Sequence, residues 1–382
     1  MPALGARARA TERRAGLGQA PGSEAAGEGG PASILRSGIL GVKLWELDYQ
    51  LRPELVAQEP AAERDQARLL VLERQTGSLH HSRFYRLAQW LSPGDLVVLN
   101  DTQVLPARLR ARKETGRAVE LLLVRPVEPG ARRWLALARG SRALGKGARL
   151  RLDGDGAVLT VAGADAGGHL IVDSEEPGTP VEELMRRFGM PALPPYIRRP
   201  PERRDYAAYQ TVYARRPGSV AAPTAGIHVT EATLAGLAQA GIATAFLALH
   251  IGPGTFRPIR SEPVEGHSME AERYEISPET AGAIEHARRL GGRIVAVGTS
   301  TVRALESFAV TGRRIDASSL FITPGFRFRL VDCLVTNFHM PRSTVLALVM
   351  AFAGRQQVLA AYGEAMRRRY RLLSYGDAML LL

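Results

Sequence analysis

The sequence predicts an α/β protein in which a larger α/β domain is interrupted by a small inserted antiparallel β-barrel. Three observations carry this expectation. From Pro195 onward, apolar strand-like runs alternate with segments of helical periodicity, the pattern of a sheet with helices packed on it. Between about Gln103 and Asp173 that alternation stops, and short strand-like runs separated by Gly, Pro and Asp turns follow one another, which suits a small barrel or sandwich. The chain also has 382 residues, enough for two cores. The reading places the α/β domain at 42–103 and 193–382 and the inserted barrel at 104–192.

Each element follows from local pattern. Residues 1–41 are rich in Ala, Gly and Arg without hydrophobic periodicity and read as disordered or as an over-called start. They hold no apolar h-region, and Glu12, Glu24 and Glu28 count against a transit peptide. Pro53 to Ala57 is a short helix with Pro in its first turn. RLLVLER and SLHHSRF are strands joined by a turn at Thr76-Gly77, Phe84 to Leu91 is helical, and DLVVLN is a buried strand. The barrel runs are AVELLLV, RWLALA, ARLRLD, AVLTVAG and HLIVDS, and Val181 to Phe188 is the helix leading out. Helices follow at 230–240, 278–290, 299–309, 343–353 and 356–370, with strands in ATAFLALHIG, GRIVAVG and VDCLVTNF. No internal repeat is visible.

Composition narrows the function classes. Lys and Arg outnumber Asp and Glu by 50 to 38, a net charge of +12, which fits an anionic partner such as nucleic acid. Arg far exceeds Lys, and a genomic base bias accounts for that equally well. The single Cys333 excludes a disulfide framework, a Cys-rich zinc site and a three-Cys iron–sulfur motif. It is expected buried and inert in a strand. The cytoplasm is the expected compartment. The longest apolar run, Val345 to Ala353, is too short to span a bilayer, so no membrane association is expected.

Four junctions gather candidate site residues. In GRIVAVGTSTVRALES a strand runs into Gly298, and Thr299, Ser300 and Thr301 open a helix with Arg303 nearby. Such a helix start binds carboxylate or phosphate, although an ordinary capped helix has the same pattern. LALHIGPGTFRPI puts His250 at a strand end before Gly252 and Gly254, which permit close backbone approach to a ligand, or simply a tight loop. VTNFHMPRST ends a strand on Asn337 and His339, placed for the crevice where α/β sheets bind ligands, or closing a loop. VAAPTAGIHVT holds His228 behind Thr224 and Gly226, just before a helix start. The three histidines lack HxH or HxxxH spacing, so no metal site is assigned. Between Tyr196 and Ser219, six arginines interleave with four tyrosines. Tyr196, Arg198, Arg199, Arg203, Arg204, Arg215 and Arg216 suit an RNA loop, with a solvated charged face as the alternative. A Walker loop and a post-strand GxGxxG are both missing.

These segments, in this order, resemble the S-adenosylmethionine:tRNA ribosyltransferase-isomerase family. The resemblance is carried by LVAQEP at Leu55–Pro60, GDLVVLNDT at Gly94–Thr102, LPPYIRRP at Leu193–Pro200, YQTVYA at Tyr209–Ala214, GSVAAPTAGIH at Gly218–His228 and LHIGPGTFRP at Leu249–Pro258. VAVGTSTVRALES, LVTNFHMPRST and YRLLSYGDAM complete it, from about residue 43 to the end of the chain. Departures are Gln103 for Arg, Ala192 for Pro, Val229 for an aromatic residue, Ser300-Thr301 in swapped order, and Glu270 where a second His is common.

The resemblance implies an α/β domain interrupted by a small β-barrel. It implies transfer and isomerisation of the ribosyl part of S-adenosylmethionine onto 7-aminomethyl-7-deazaguanine at the tRNA wobble position. Epoxyqueuosine-tRNA, adenine and methionine are the products. S-adenosylmethionine is then a co-substrate, no bound cofactor is expected, and the expected state is a monomer. The carbon beside the sulfonium must lose a proton to a base, adenine must leave and the amine must be neutral; a histidine suits either proton transfer. His228 is the first candidate as base or clamp, His339 the second and His250 the third. Thr224, Gly226, Gly252, Gly254 and Asn337 would shape the substrate pocket, and Thr299, Ser300 and Arg303 would hold the methionine carboxylate or a tRNA phosphate. Rival readings are a transglycosylase, which the single Cys disfavours, a methyltransferase lacking its Gly-rich signature, and a non-catalytic RNA-binding module.

Overall fold

The computed structural model describes residues 41–128, 132–140, 144–154 and 156–382. Residues 1–40 of the expected disordered segment therefore lie outside the described residues. The described chain opens with 3-10 turns and the strands β1 (Arg68–Leu72), β2 (Leu79–Arg83), β3 (Leu96–Asn100) and β4 (Thr102–Val104). Six barrel strands follow: β5 (Arg108–Lys113), β6 (Ala118–Pro126), β7 (Trp134–Arg139), β8 (Arg149–Leu152), β9 (Val158–Ala164) and β10 (Leu170–Ser174). Next come α1 (Val181–Phe188), α2 (Asp205–Ala208), β11 (Arg216–Ser219), α3 (Glu231–Gln239), β12 (Ala243–Leu249), β13 (Glu272–Ile276), α4 (Pro278–Arg289) and β14 (Ile294–Val297). The chain ends with α5 (Thr299–Thr311), β15 (Ile315–Ser318), β16 (Cys333–Asn337), α6 (Thr344–Ala353), α7 (Arg355–Arg367) and β17 (Ala378–Leu381).

Nine strands form one mixed sheet in the order β15-β13-β12-β3-β14-β16-β17-β1-β2. Its centre, β12-β3-β14-β16, is parallel. Three of these strands, LVVLN, IVAV and CLVTN, are buried throughout, because helices and turns cover both faces. Side-chain alternation divides each run between two cores. Leu96, Val98, Ile294 and Ala296 join Leu305, Leu346 and Val358 on one face, whereas Val97, Leu99, Val295 and Val297 join Phe84 and Leu237 on the other.

The insertion is a closed barrel, β10-β7-β6-β5-β8-β9. Its interior holds Leu109, Leu121, Leu123, Trp134, Leu150 and Leu159, with Val181, Leu184 and Met185 of α1 in the same core. Closure requires β5, which the sequence expectation omits. In RLRARK only Leu109 and Ala111 are buried; the strand alternates, but one Leu and one Ala among four cations make a short and weak signal. The expectation also omits β13, β15, β17 and the parallel pair β4–β11. Phe84–Trp90 and Pro53–Leu55 are helical as expected, but as 3-10 helices. Among the described residues no single helix is long and apolar enough to cross a membrane.

Candidate active site

The sheet reverses direction of growth at β3. The chain returns from the barrel to β12 on one side of β3 and later places β14 on the other. In such sheets the loops beyond the strand C-termini part at this point and leave a crevice. Here it is a cavity of ≈ 420 Å³ bounded by Ala221–Ala225, by Gly298, Thr299 and Ser300, and by the segment from Thr336 to Pro341. Ile251, Leu320, Ile322, Phe338 and Leu348 make it largely apolar. Asn100 anchors its floor: the side-chain amide donates to the Leu249 carbonyl at 3.0 Å and to Ser300 Oγ at 3.1 Å, and its oxygen accepts from Leu249 N–H at 3.0 Å.

Thr224, Asn337 and His228 form a chain through the cavity wall. Pro223 leads into a 3-10 turn, Thr224–His228, which presents Thr224 to the cavity and turns His228 away from it. Thr224 Oγ1 donates to Asn337 Oδ1 at 2.8 Å, and Asn337 Nδ2 lies 3.2 Å from His228 Nε2. His228 is buried beside Phe84, with ring centroids 5.1 Å apart, and borders a second, more open hollow with Arg64, Arg204 and Tyr375. Burial pushes its pKa down to about 4, against the opposing pull of the Asp377 carboxylate and the Arg64 backbone. It is neutral at pH 7.

His339 is the imidazole that lines the main cavity. Its Nε2 lies 2.7 Å from Thr336 Oγ1, its N–H donates to the Tyr362 hydroxyl at 3.0 Å, and its carbonyl accepts from the Tyr49 hydroxyl at 2.6 Å. Burial pushes its pKa down to about 3. His250 is not brought to this cavity. Its Nδ1 is 2.8 Å from Thr102 Oγ1, and the ring packs on Gly218, where a Cβ would sit 2.8 Å from it. Burial, with Arg273 and Arg216 nearby, lowers its pKa.

The helix start of α5 reaches the cavity through Gly298, Thr299 and Ser300. Gly298 has φ +94°, a turn that glycine makes without strain, and the first-turn amides beyond it have no intrahelical acceptor. Arg303 also lines the cavity, but its guanidinium is committed. It pairs with the buried Glu272 carboxylate and donates to the Leu320 and Ser318 carbonyls at 3.2 and 3.1 Å. Arg303 thus braces the wall and does not offer a free cation to a carboxylate. Gly252 and Gly254 stay off the cavity; Gly252 N–H donates to Glu272 Oε1 at 2.8 Å. Gly226 is required by packing, since a Cβ there would meet the Tyr213 hydroxyl at 2.0 Å.

The arginine–tyrosine segment divides into two groups. Arg199 sits 2.7 Å from each oxygen of buried Asp205 and 2.8 Å from Glu59. Arg204 pairs with Glu59 and Glu202, both at 2.9 Å, and Arg216 with Asp101 and Glu275, both at 3.5 Å. These three, expected on phosphates, are held by carboxylates of the protein. Arg198, Arg203 and Arg215 are exposed and form no salt bridge among the described residues, although Arg215 lies near enough to Asp101 to act on its carboxylate and packs over Phe246 at 5.0 Å. Arg198 stands at the cavity itself, beside Tyr196, whose hydroxyl is 2.7 Å from Ser374 Oγ.

Residues 44–381 match the family model described as "Queuosine biosynthesis protein". The chain is 51% identical over 345 residues to the S-adenosylmethionine:tRNA ribosyltransferase-isomerase of Anaeromyxobacter sp. (strain Fw109-5), covering 89% of this chain and 99% of that protein. It is 46% identical over 346 residues to the enzyme of that name from Thermotoga maritima, covering 89% of this chain and 100% of that protein. The chain belongs to this family. It is an enzyme, a transferase and isomerase of queuosine biosynthesis and tRNA modification. A solved structure, the S-adenosylmethionine tRNA ribosyltransferase of Thermotoga maritima, is similar with TM-score 0.50 and 37% identity, over 88% of this chain and 100% of that one.

Within this family member, the cavity brings together Thr224, Thr299, Ser300, Arg303, Asn337, His339, Tyr196 and Arg198. Sequence reasoning passed over Glu272, Ser374 and Asn100. Glu272 and Ser374 are legible only as members of the HSMEAERY and YRLLSYGDAM segments. Asn100 carries a local signal, a single amide closing an otherwise apolar buried strand.

Proposed function

We propose that this enzyme transfers and isomerises the ribosyl moiety of S-adenosylmethionine onto 7-aminomethyl-7-deazaguanine at the tRNA wobble position, giving epoxyqueuosine-tRNA, adenine and methionine. The observation that carries this reading is the apolar cavity at the strand C-termini, with a few inward polar groups, in a chain whose relatives bear that name. S-adenosylmethionine binds in the cavity as co-substrate, and no resident cofactor is invoked. The first-turn amides at Thr299 and Ser300 receive its carboxylate.

The sulfonium acidifies protons on the adjoining ribose carbon. A base removes one, adenine departs with a proton, the amine bonds a ribose carbon and gives up a proton, the first and fifth ribose carbons join, and methionine leaves as the C–S bond breaks. His339 is assigned the proton transfer, because it is the imidazole on the cavity wall and is neutral at pH 7. His228 acts from behind the wall. The wobble nucleotide, extruded from its loop, approaches past Tyr196 and Arg198, with Arg203 and Arg215 on the phosphates. The enzyme acts as a cytoplasmic monomer in this reading.

The test is incubation of the purified protein with S-adenosylmethionine and tRNA carrying the aminomethyl base. Epoxyqueuosine in digested tRNA, in step with free adenine, is the expected result. Absence of both while the protein stays folded and binds tRNA would reject the reading. His339→Ala is expected to lower kcat by about 10²–10⁴-fold, the range for loss of a general acid or base.

A further inference from the structure

We infer that Thr224 presents a hydrogen-bond acceptor to the ligand in the cavity, and that His228 and the Asp377 carbonyl set this polarity from behind through Asn337. The inference rests on the cavity holding S-adenosylmethionine. The Asp377 carbonyl can only accept, and it lies 3.5 Å from Asn337 Nδ2. The same Nδ2 faces His228 Nε2 at 3.2 Å. With Nδ2 held as the donor by the Asp377 carbonyl, neutral His228 meets it with the lone pair of Nε2 and keeps its single proton on Nδ1. Two acceptors therefore hold the NH₂ side of the Asn337 amide inward, and Oδ1 is turned to Thr224.

Thr224 Oγ1 lies 2.8 Å from Oδ1 and must donate its only proton there. What remains toward the cavity is the hydroxyl's lone pairs. A ligand atom seated on Thr224 has to bring an N–H or O–H. In S-adenosylmethionine the donors are the α-ammonium, the adenine amino group and the ribose hydroxyls. A ligand group that only accepts meets lone pairs opposed to lone pairs. Thr224 is thus a specificity-determining residue, and His228 a positioning residue that never touches substrate.

Calorimetric titration of the purified enzyme tests this with S-adenosylmethionine and four analogues: the 6-oxo base, the 2′- and 3′-deoxyribose forms and the form lacking the α-amino group. Thr224→Val is expected to weaken S-adenosylmethionine binding about tenfold, one hydrogen bond's worth, and Thr224→Ser to stay within about threefold of wild type. One analogue should bind wild type more weakly yet show no further loss with Thr224→Val, which identifies the donor. His228→Ala should reduce the same discrimination and add little in the Thr224→Val background. Equal weakening by Val and Ser, or full analogue penalties persisting in Thr224→Val, would overturn the acceptor assignment. Fully additive losses would overturn the positioning role of His228. If wild type itself does not bind S-adenosylmethionine, the functional reading fails instead.

Discussion

At the residue scale, burial decides chemistry. His228 and His339 have folded pKa values lowered to about 4 and about 3 from 6.5. The unfolded chain therefore binds more protons than the native one below about pH 6.5. Stability contributed by keeping these rings neutral is fully present above that pH and is lost as pH falls toward their folded values. Urea titration from pH 7 to pH 4 should show a decline, with the His228 part on the order of 3 kcal/mol and diminished in His228→Ala. The Arg303–Glu272 pair makes a second test. Both groups are buried, at 6% exposure each, so removing one partner strands the other. Glu272→Ala is expected to cost about 3–5 kcal/mol, read as a fall in urea midpoint. Gly226→Ala drives a Cβ against the Tyr213 hydroxyl and should cost about 1–3 kcal/mol in the same assay.

At the element scale, the site depends on strands entering the sheet in an order that no local pattern announces. β17 lies between β16 and β1, antiparallel to the first and parallel to the second. It locks Asn337 opposite Ala378 and leaves the Asp377 carbonyl against the Asn337 amide. Four residues, AMLL, are all buried there. Leu380→Ala is expected to cost about 2–5 kcal/mol, measured by denaturant unfolding. The strand was not read from sequence because four apolar residues after a polar turn fit a buried strand or a helix fragment equally. β13 and β15 are hidden for another reason, since ERYEI and IDAS carry charged residues, one of them the buried Glu272, while the longer periodic helices α4 to α7 are legible within a few residues.

At the scale of the whole molecule, charge has to be sorted by partnership before it predicts binding. Six arginines in one segment looked equivalent as sequence, yet three are held by Glu59, Asp205, Glu202, Asp101 and Glu275. Replacing Arg198, Arg203 and Arg215 together with Ala should weaken tRNA binding and reduce the slope of log K against log salt by about 0.7 per lost phosphate contact. S-adenosylmethionine affinity should change far less on Arg203 and Arg215 replacement alone, because neither borders the cavity. An unchanged salt slope in the triple variant would remove the segment from the tRNA path.

The sequence by itself determined the fold class, the insertion of a barrel, the helix starts at Thr299 and, to within a residue, at Ser343, and the family. Those properties rest on periodicity, turn chemistry and long motifs, all local in the chain. It also singled out Thr224, Asn337 and His339, which the strand ends deliver to one cavity. Only the tertiary structure decided which histidine faces that cavity and which arginines are held in salt bridges by carboxylates. It showed that Gly226 answers to Tyr213, with no ligand involved. It also showed that His228 stands behind Asn337. Arg199 and Asp205 are close in the chain and meet only as their loop folds, whereas His228 and Asn337 meet across a separation of 109 residues. Pairings at that distance are set by the order of strands in the sheet, and the chain around each partner carries no record of it.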